Sequence, residues 1–350
     1  MSIELSVVIP TCQRCESLRQ VLCACSQQSL SPEQYEVIVS IDGSTDVTEA
    51  MLAQLRTPYR LRWVSMPHAG AAAARNRGAA LAQGALVIFL DDDILPAPDL
   101  LAEHLAAHNG ERRLVGLGQV QQMPGQSLSG WERYLCHRYQ EHYAKLALPG
   151  YRPDFWDCLS GNLSLDRQML AQSGGFDTIL ERHEDIELGY RLSRLGARFA
   201  YLPQALGYHR FTRSVEAGSQ DAFREGVSAM QLAERHHELT ARLIHARWGR
   251  YAAFEQALIR QALAHPFCHA QLAAAARALV KWVNCAPLAF AIQKPFYQIT
   301  FHLHFWQGVR AAIGLAAPLS SLAMLHKLHG MATPAIASSS VAATTHLHVP

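Results

Sequence analysis

Three consecutive acids, Asp91, Asp92 and Asp93, follow directly on the apolar run Val87-Ile88-Phe89-Leu90. A short apolar run bounded by turn residues fits a strand buried on both faces of a parallel sheet. The acids then lie at its C-terminal end, the edge at which open α/β sheets bind ligands. Adjacent carboxylates repel one another. Either a hard divalent cation shared with substrate phosphates compensates them, or they form a solvated acidic turn ahead of a helix starting at Pro98-Asp99. Side-chain alternation puts Asp91 and Asp93 on the same side. A second acidic turn, Asp42-Gly43-Ser44-Thr45-Asp46, closes another apolar stretch. Between the two lies Gly70-Ala71-Ala72-Ala73-Ala74-Arg75-Asn76-Arg77-Gly78-Ala79. Its small side chains allow close backbone approach, and a helix N-terminus with Arg75 or Arg77 nearby suits a phosphate or nucleotide. A helix packed tightly on a sheet with its arginines in water is the plain alternative. No Walker pattern is present. Further on, Glu184, Asp185 and Glu187 open a segment with Leu188 and Leu192 on the Asp185 side. An acid there could be a base made stronger by partial burial, or could merely favour a helix start.

The elements that must position these residues follow from periodicity. Strands are expected over 5–9, 35–41, 61–66 and 87–90, and helices over 17–28, 47–55 and 70–83. Alternation of strand and helix with short links predicts a parallel, right-handed α/β sheet. Acids from two strands would then converge on one edge. The next portion reads as a strand over 114–120, an aromatic-rich amphipathic helix over 131–146, and strands over 160–165 and 199–203. Beyond a boundary near 212–219 come helices rich in Ala, Leu, Arg and His, over 217–247, 251–264 and 269–284.

Composition narrows the class. A chain of 350 residues with 49% hydrophobic and 17% charged residues is globular, not disordered. A net charge of +2 gives no electrostatic reason to expect nucleic acid. The N-terminus shows no basic region or cleavage pattern, so a cytoplasmic protein with eight reduced cysteines is expected. Cys12, Cys15, Cys23 and Cys25 lack the loop that separates paired zinc ligands and read as packing residues. His302 and His304, two apart, do not match helical ligand spacing. The segment 287–328 is apolar, but 311–325 is short for a span and contains Pro318. Packing on the preceding domain and peripheral membrane contact both fit it. The Ala, Ser and Thr residues of 331–350 are expected to form a disordered tail.

Val8-Ile9-Pro10-Thr11, Asp42-Gly43-Ser44-Thr45-Asp46, Ala74-Arg75-Asn76-Arg77-Gly78 and Phe89-Leu90-Asp91-Asp92-Asp93 resemble, in order and spacing, the motifs of family 2 glycosyltransferases. Ser160-Gly161-Asn162-Leu163 is similar to the family strand that passes near the donor sugar, and Glu184-Asp185 to its acidic signature. The resemblance covers about the first 210 residues. It implies a GT-A fold, a Rossmann-like, mostly parallel mixed sheet flanked by helices, with a C-terminal helical extension. The domain would span 1–215, with a nucleotide-sugar half at 1–110 and an acceptor half at 111–215; the extension would span 216–330.

The implied activity is inverting, metal-dependent sugar transfer from a nucleotide-diphosphate sugar to an acceptor hydroxyl. By the resemblance, Pro10, Thr11, Asp42, Arg75, Asp91, Asp92, Gly161 and Asn162 contact the donor. Asp93, with His209, holds Mg²⁺ or Mn²⁺. Asp185 is the base, and Glu184 and Trp156 lie on the acceptor side. The acceptor, whether a glycan, a lipid-linked molecule or a small molecule, is left open. Two alternatives remain. A sugar nucleotidyltransferase would carry a Gly-rich basic loop after its first strand, where this chain has Pro10-Thr11-Cys12-Gln13-Arg14. A non-catalytic sugar-nucleotide-binding protein would not need Glu184-Asp185.

Overall fold

The structure, a computed structural model, describes residues 3–286 and 288–314. Its N-terminal half is built from the strands β1 (Leu5–Thr11), β2 (Tyr35–Asp42), β3 (Arg60–Met66) and β4 (Leu86–Leu90). Every residue of β1, β2 and β4 is buried, as strands covered on both faces require. β3 mixes exposed and half-buried positions and lies at the sheet edge. Between them run α1 (Cys15–Cys25), α2 (Thr48–Gln54) and α3 (Ala71–Ala79).

Four further strands complete one eight-stranded sheet. They are β5 (Ile94–Pro96), β6 (Leu114–Gln122), β7 (Asn162–Asp166) and β8 (Arg198–His209). The spatial order is β3-β2-β1-β4-β7-β6-β8-β5. β3, β2, β1 and β4 are mutually parallel, and β7 runs antiparallel to both β4 and β6. Because β7 reverses direction, its first residue, Asn162, pairs with the last of β4, Leu90. The ends of β1, β2 and β4 and the start of β7 therefore share one edge. The three-residue β5, which the sequence did not suggest, pairs antiparallel with the end of β8 and carries the chain from the triple Asp to His209.

The small residues of α3 serve packing. A Cβ on Gly78 would lie 2.5 Å from Val8 Cγ1 and 2.8 Å from Ser40 Oγ, so the helix sits directly on β1 and β2. α4 (Leu100–Ala107) and α5 (Gly130–Leu146) share a buried cluster with α1 on one face of the sheet, and α6 (Arg167–Ser173) and α7 (Glu184–Arg194) share another with α3 on the opposite face.

The helix expected over 217–247 is interrupted. α8 (Val215–Arg235) ends at His236, whose ring packs on Tyr190 at 4.7 Å and whose Nε2 lies 3.2 Å from Glu187 Oε1. Those contacts to α7 require a non-helical backbone at His236. Short turns then lead through α9 (Ala246–Gly249) to α10 (Ala253–Ala264), α11 (Pro266–Cys285) and α12 (Phe290–Ala312). α8 and α12 cross closely enough that a Cβ on Gly226 would strike the Phe305 carbonyl, and one on Gly308 the Phe223 carbonyl. Trp131, Tyr134, Val215, Phe301 and Tyr297 form a buried cluster joining α5, α8 and α12. Among the described residues no helix is long and apolar enough to cross a membrane. The expected tail at 331–350, and most of 311–325, lie outside the described residues.

Candidate active site

The acid-rich edge is assembled from three strand ends. Thr11, closing β1, donates its hydroxyl to Asp92 Oδ2 at 2.7 Å. Asp42, closing β2, is buried and accepts the backbone N–H of Ala69 at 2.7 Å and of Gly70 at 3.0 Å. It thereby fixes the entry to α3. After β4, Asp91 is the most accessible of the three acids, and its N–H donates to the Gly161 carbonyl at 3.1 Å. A Cβ on Gly161 would lie 2.9 Å from Asp91 Oδ2, so only glycine leaves that carboxylate its place. Pro10 is buried within β1.

The sequence offered a divalent cation or solvent against the repulsion within the triple Asp; the structure supplies a side chain, Arg14. Its Nη1 donates to Asp92 Oδ1 at 3.0 Å and also to Asp93 Oδ2. Asp93 Oδ1 faces His209 Nε2 at 3.4 Å. The His209 ring is held by Phe211 and Tyr139, with centroids at 4.2 and 5.5 Å, and its buried Nδ1 has no hydrogen-bond partner. Burial pushes the Asp92 carboxyl up to about 6 against the opposing charge of Arg14. For Asp93, burial acts in the same upward direction but is outweighed by His209 and Arg14, which hold it well below the usual carboxylate range.

The opposite wall is the start of α7. His183, its N-cap, has φ of 62°, a left-handed conformation that costs a non-glycine residue energy. This turn aims Glu184 and Asp185 at the sheet edge. Asp185 Oδ1 accepts the Ile186 N–H at 2.8 Å and Oδ2 the Ser160 N–H at 3.4 Å. Burial, reinforced by the neighbouring Glu184 charge and opposed by Arg75, raises the Asp185 carboxyl to about 7. A carboxylate with that affinity for a proton suits a general base at neutral pH.

Arg75 joins the two walls. It is 5% exposed, with Nη2 2.8 Å from Asp91 Oδ1 and Nη1 2.9 Å from Glu184 Oε1. Both terminal nitrogens, expected to contact the donor, are engaged by carboxylates in this structure. Glu184, expected on the acceptor side, is buried against Arg75. Asn162 departs from its expected donor contact as well. Its two N–H bonds go to the carbonyls of Gln119 at 3.1 Å and Ala205 at 2.8 Å, and its oxygen lies 2.9 Å from His104 Nε2. There it pins the irregular pairing of β6 with β8. Trp156 is half-buried beside α7, with the Arg242 guanidinium 4.7 Å above its ring.

Three residues near these acids, Arg14, Tyr139 and His68, were not singled out from sequence, and a fourth, Cys12, was read as a packing residue. Arg14 was visible only as one arginine in a turn, and Tyr139 as one of several aromatics on α5. Cys12 and His68 form with Asp42 a group whose potential metal-binding atoms lie within 4.8 Å of one another. His68 is mostly exposed, its Nδ1 2.9 Å from Asp42 Oδ2. Among the described residues, the two non-glycine positions with positive φ, Gln13 and His183, immediately precede Arg14 and Glu184. Strain is thus concentrated on the two turns that present charge to the cleft.

Doubly wound strands feeding acids onto one edge, faced by an acidic helix start, define the GT-A class of fold. Comparison with solved structures agrees. Staphylococcus aureus TarS in complex with UDP superposes with a TM-score of 0.51 at 16% identity, over 89% of this chain and 90% of that one. A mannosyltransferase from Pyrobaculum calidifontis in complex with GDP-Man and Mn²⁺ gives 0.50 at 18% identity, over 95% and 81%. The profile for glycosyl transferase family 2 matches residues 6–172, just under half of the chain.

Among its curated relatives, validoxylamine A glucosyltransferase of Streptomyces hygroscopicus subsp. limoneus is 42% identical over 108 residues, 30% of this chain and 24% of that protein. Glycosyltransferase YfnE of Bacillus subtilis, itself uncharacterized, is 28% identical over 262 residues, 59% of this chain and 64% of that one. The chain thus spans about a quarter of the first relative's length and just under two thirds of the second's.

Proposed function

We propose that this chain is an inverting glycosyltransferase that moves a sugar from a nucleotide-diphosphate sugar to an acceptor hydroxyl. The observation that carries the reading is the Arg75 bridge: one buried guanidinium ties Asp91, on the donor edge, to Glu184, whose neighbour Asp185 has the proton affinity of a base. Inversion needs a base on the face of the sugar opposite the leaving diphosphate. Two acidic walls held apart by a fixed cation meet that need.

In this reading the nucleoside lies against Thr11 and Asp42, with Pro10 shaping the turn, and the ribose lies toward Asp91 and Asp92. Gly161 keeps Asp91 accessible. Asp185 takes the proton of the acceptor hydroxyl, and Trp156 offers the acceptor an aromatic face beside α7. The Asp93 carboxylate and the His209 imidazole, 3.4 Å apart, are a donor set that suits Mn²⁺ or Mg²⁺. Such an ion, when bound, would neutralise charge on the diphosphate leaving group. The P. calidifontis enzyme with GDP-Man and Mn²⁺ and TarS with UDP support a nucleotide-sugar donor.

The test combines purified protein, a panel of UDP-, GDP- and dTDP-sugars with and without Mn²⁺, and NMR of the anomeric configuration in the product. Retention of configuration, or no metal-dependent nucleotide binding, would overturn this reading. Synthesis of a nucleotide sugar from a sugar phosphate would favour the nucleotidyltransferase alternative.

A further inference from the structure

Arg14 occupies the carboxylates that the proposed reaction requires. It binds Asp92 and Asp93 together, and among the described residues no other cationic side chain is hydrogen-bonded to both. A divalent ion on Asp93 would place two positive centres on one carboxylate, and at such range their repulsion is large where solvent is scarce. Arg14 and the ion are therefore competitors for Asp93.

The surroundings let the side chain leave without moving its loop. The backbone on either side is anchored: Gln13 N–H donates to Ser44 Oγ at 2.8 Å, its side-chain amide to Thr45 Oγ1 at 2.8 Å, and Cys15 N–H to Asp46 Oδ2 at 3.1 Å. The Arg14 side chain itself is 30% exposed. A guanidinium released from a carboxylate pair finds an equivalent fork-shaped partner in two phosphate oxygens. The diphosphate of the donor would bring such oxygens to this edge.

Resting on the metal-dependent reading above, we propose that Arg14 is a positioning residue that closes the metal site in the donor-free protein and transfers to the diphosphate when the donor enters. Metal and nucleotide binding are then positively linked, because the ion frees the arginine for the diphosphate and the diphosphate draws it off the ion's carboxylate, and linkage of this kind is reciprocal.

Mn²⁺ binding, followed by the electron paramagnetic resonance signal of the free ion, tests this without any transfer assay. Wild type, Arg14→Gln, Arg14→Lys and Asp93→Asn are compared alone and with UDP or GDP. In wild type the nucleotide should tighten Mn²⁺ binding about tenfold or more. Arg14→Gln should bind Mn²⁺ without nucleotide about tenfold more tightly than wild type. It should also lose most of the nucleotide enhancement and bind UDP or GDP more weakly in EDTA. Removing the arginine leaves Asp92 and Asp93 uncompensated, so its Tm should fall and be raised by Mn²⁺ more than that of wild type. If Arg14→Gln does not fold, Arg14→Lys, which lacks the fork, carries the same comparison with a smaller change.

Unchanged Mn²⁺ affinity in the Arg14 variants, with binding lost in Asp93→Asn, would overturn the role of Arg14 and leave the metal site standing. Unchanged affinity in Asp93→Asn would remove the metal assignment itself, and this proposal with it.

Discussion

At the scale of single residues, Asp185 faces two opposed demands. As a base it must be ionised, so kcat/KM should rise with pH through about 7, the value to which burial and Glu184 push it. Stability runs the other way. Between the ordinary Asp value of about 3.9 and that raised value the unfolded chain is ionised while the folded one holds its proton. Folding therefore weakens as pH rises across this window. Asp185→Asn should lower transfer by about 10²-fold or more while nucleotide affinity is kept. It should also raise Tm at pH 8, with a smaller gain at pH 5. Kinetics, calorimetry and thermal melts at both pH values check all three. Gly161→Ala is a second test. The added methyl meets Asp91 Oδ2 and Ile94 Cδ1, both at 2.9 Å, so donor KM should rise while the circular dichroism spectrum stays that of wild type.

At the scale of elements, α3 and α7 are far apart in the chain, Arg75 and Glu184 being separated by 109 residues, and are joined by the buried Arg75. Removing one member of a buried ion network leaves the others uncompensated, a loss of about 3–5 kcal/mol. Arg75→Met should therefore lower stability by that order in urea titrations. It also deletes the charge that opposes the rise in Asp185's pKa, so the acidic limb of the pH–rate profile should move to higher pH. A limb unchanged in position would mean that Arg75 does not act on the base. The alternation of strands and helices was legible because buried parallel strands are continuous apolar runs. The pairing of α3 with α7 was not, because no local period records which charges will meet across 109 residues.

At the scale of the whole molecule, the C-terminal helices are fastened to the wall that carries Asp185. Arg182 pairs with Asp221, its N–H donates to Ser228 Oγ at 3.1 Å, Arg235 pairs with Asp177, and His236 meets Glu187. α12 in turn holds α8 through the close crossing at Gly226 and Gly308. Gly308→Ala forces a methyl against the Phe223 carbonyl and should cost about 1–3 kcal/mol. Nucleotide affinity at the sheet edge should be little changed, whereas transfer, which depends on α7, should fall. Equal loss of both functions would show that the extension supports the entire fold rather than this wall.

The sequence by itself determined the sheet's parallel half, the acids at its strand ends and the acidic start of α7, because burial and periodicity are local properties of a chain. It also carried the family resemblance, since the motifs keep their order and spacing. Tertiary structure decided which charges are committed to one another. Arg75 and Asn162 have the residue types of ligand-binding groups, yet the Arg75 terminal nitrogens are engaged by Asp91 and Glu184, and the Asn162 amide N–H bonds by Gln119 and Ala205. Arg14, an unremarked arginine in a turn, became the counter-cation of the triple Asp. A side chain's chemistry is fixed by its type, but its availability depends on the donors and acceptors that distant segments bring within hydrogen-bond reach.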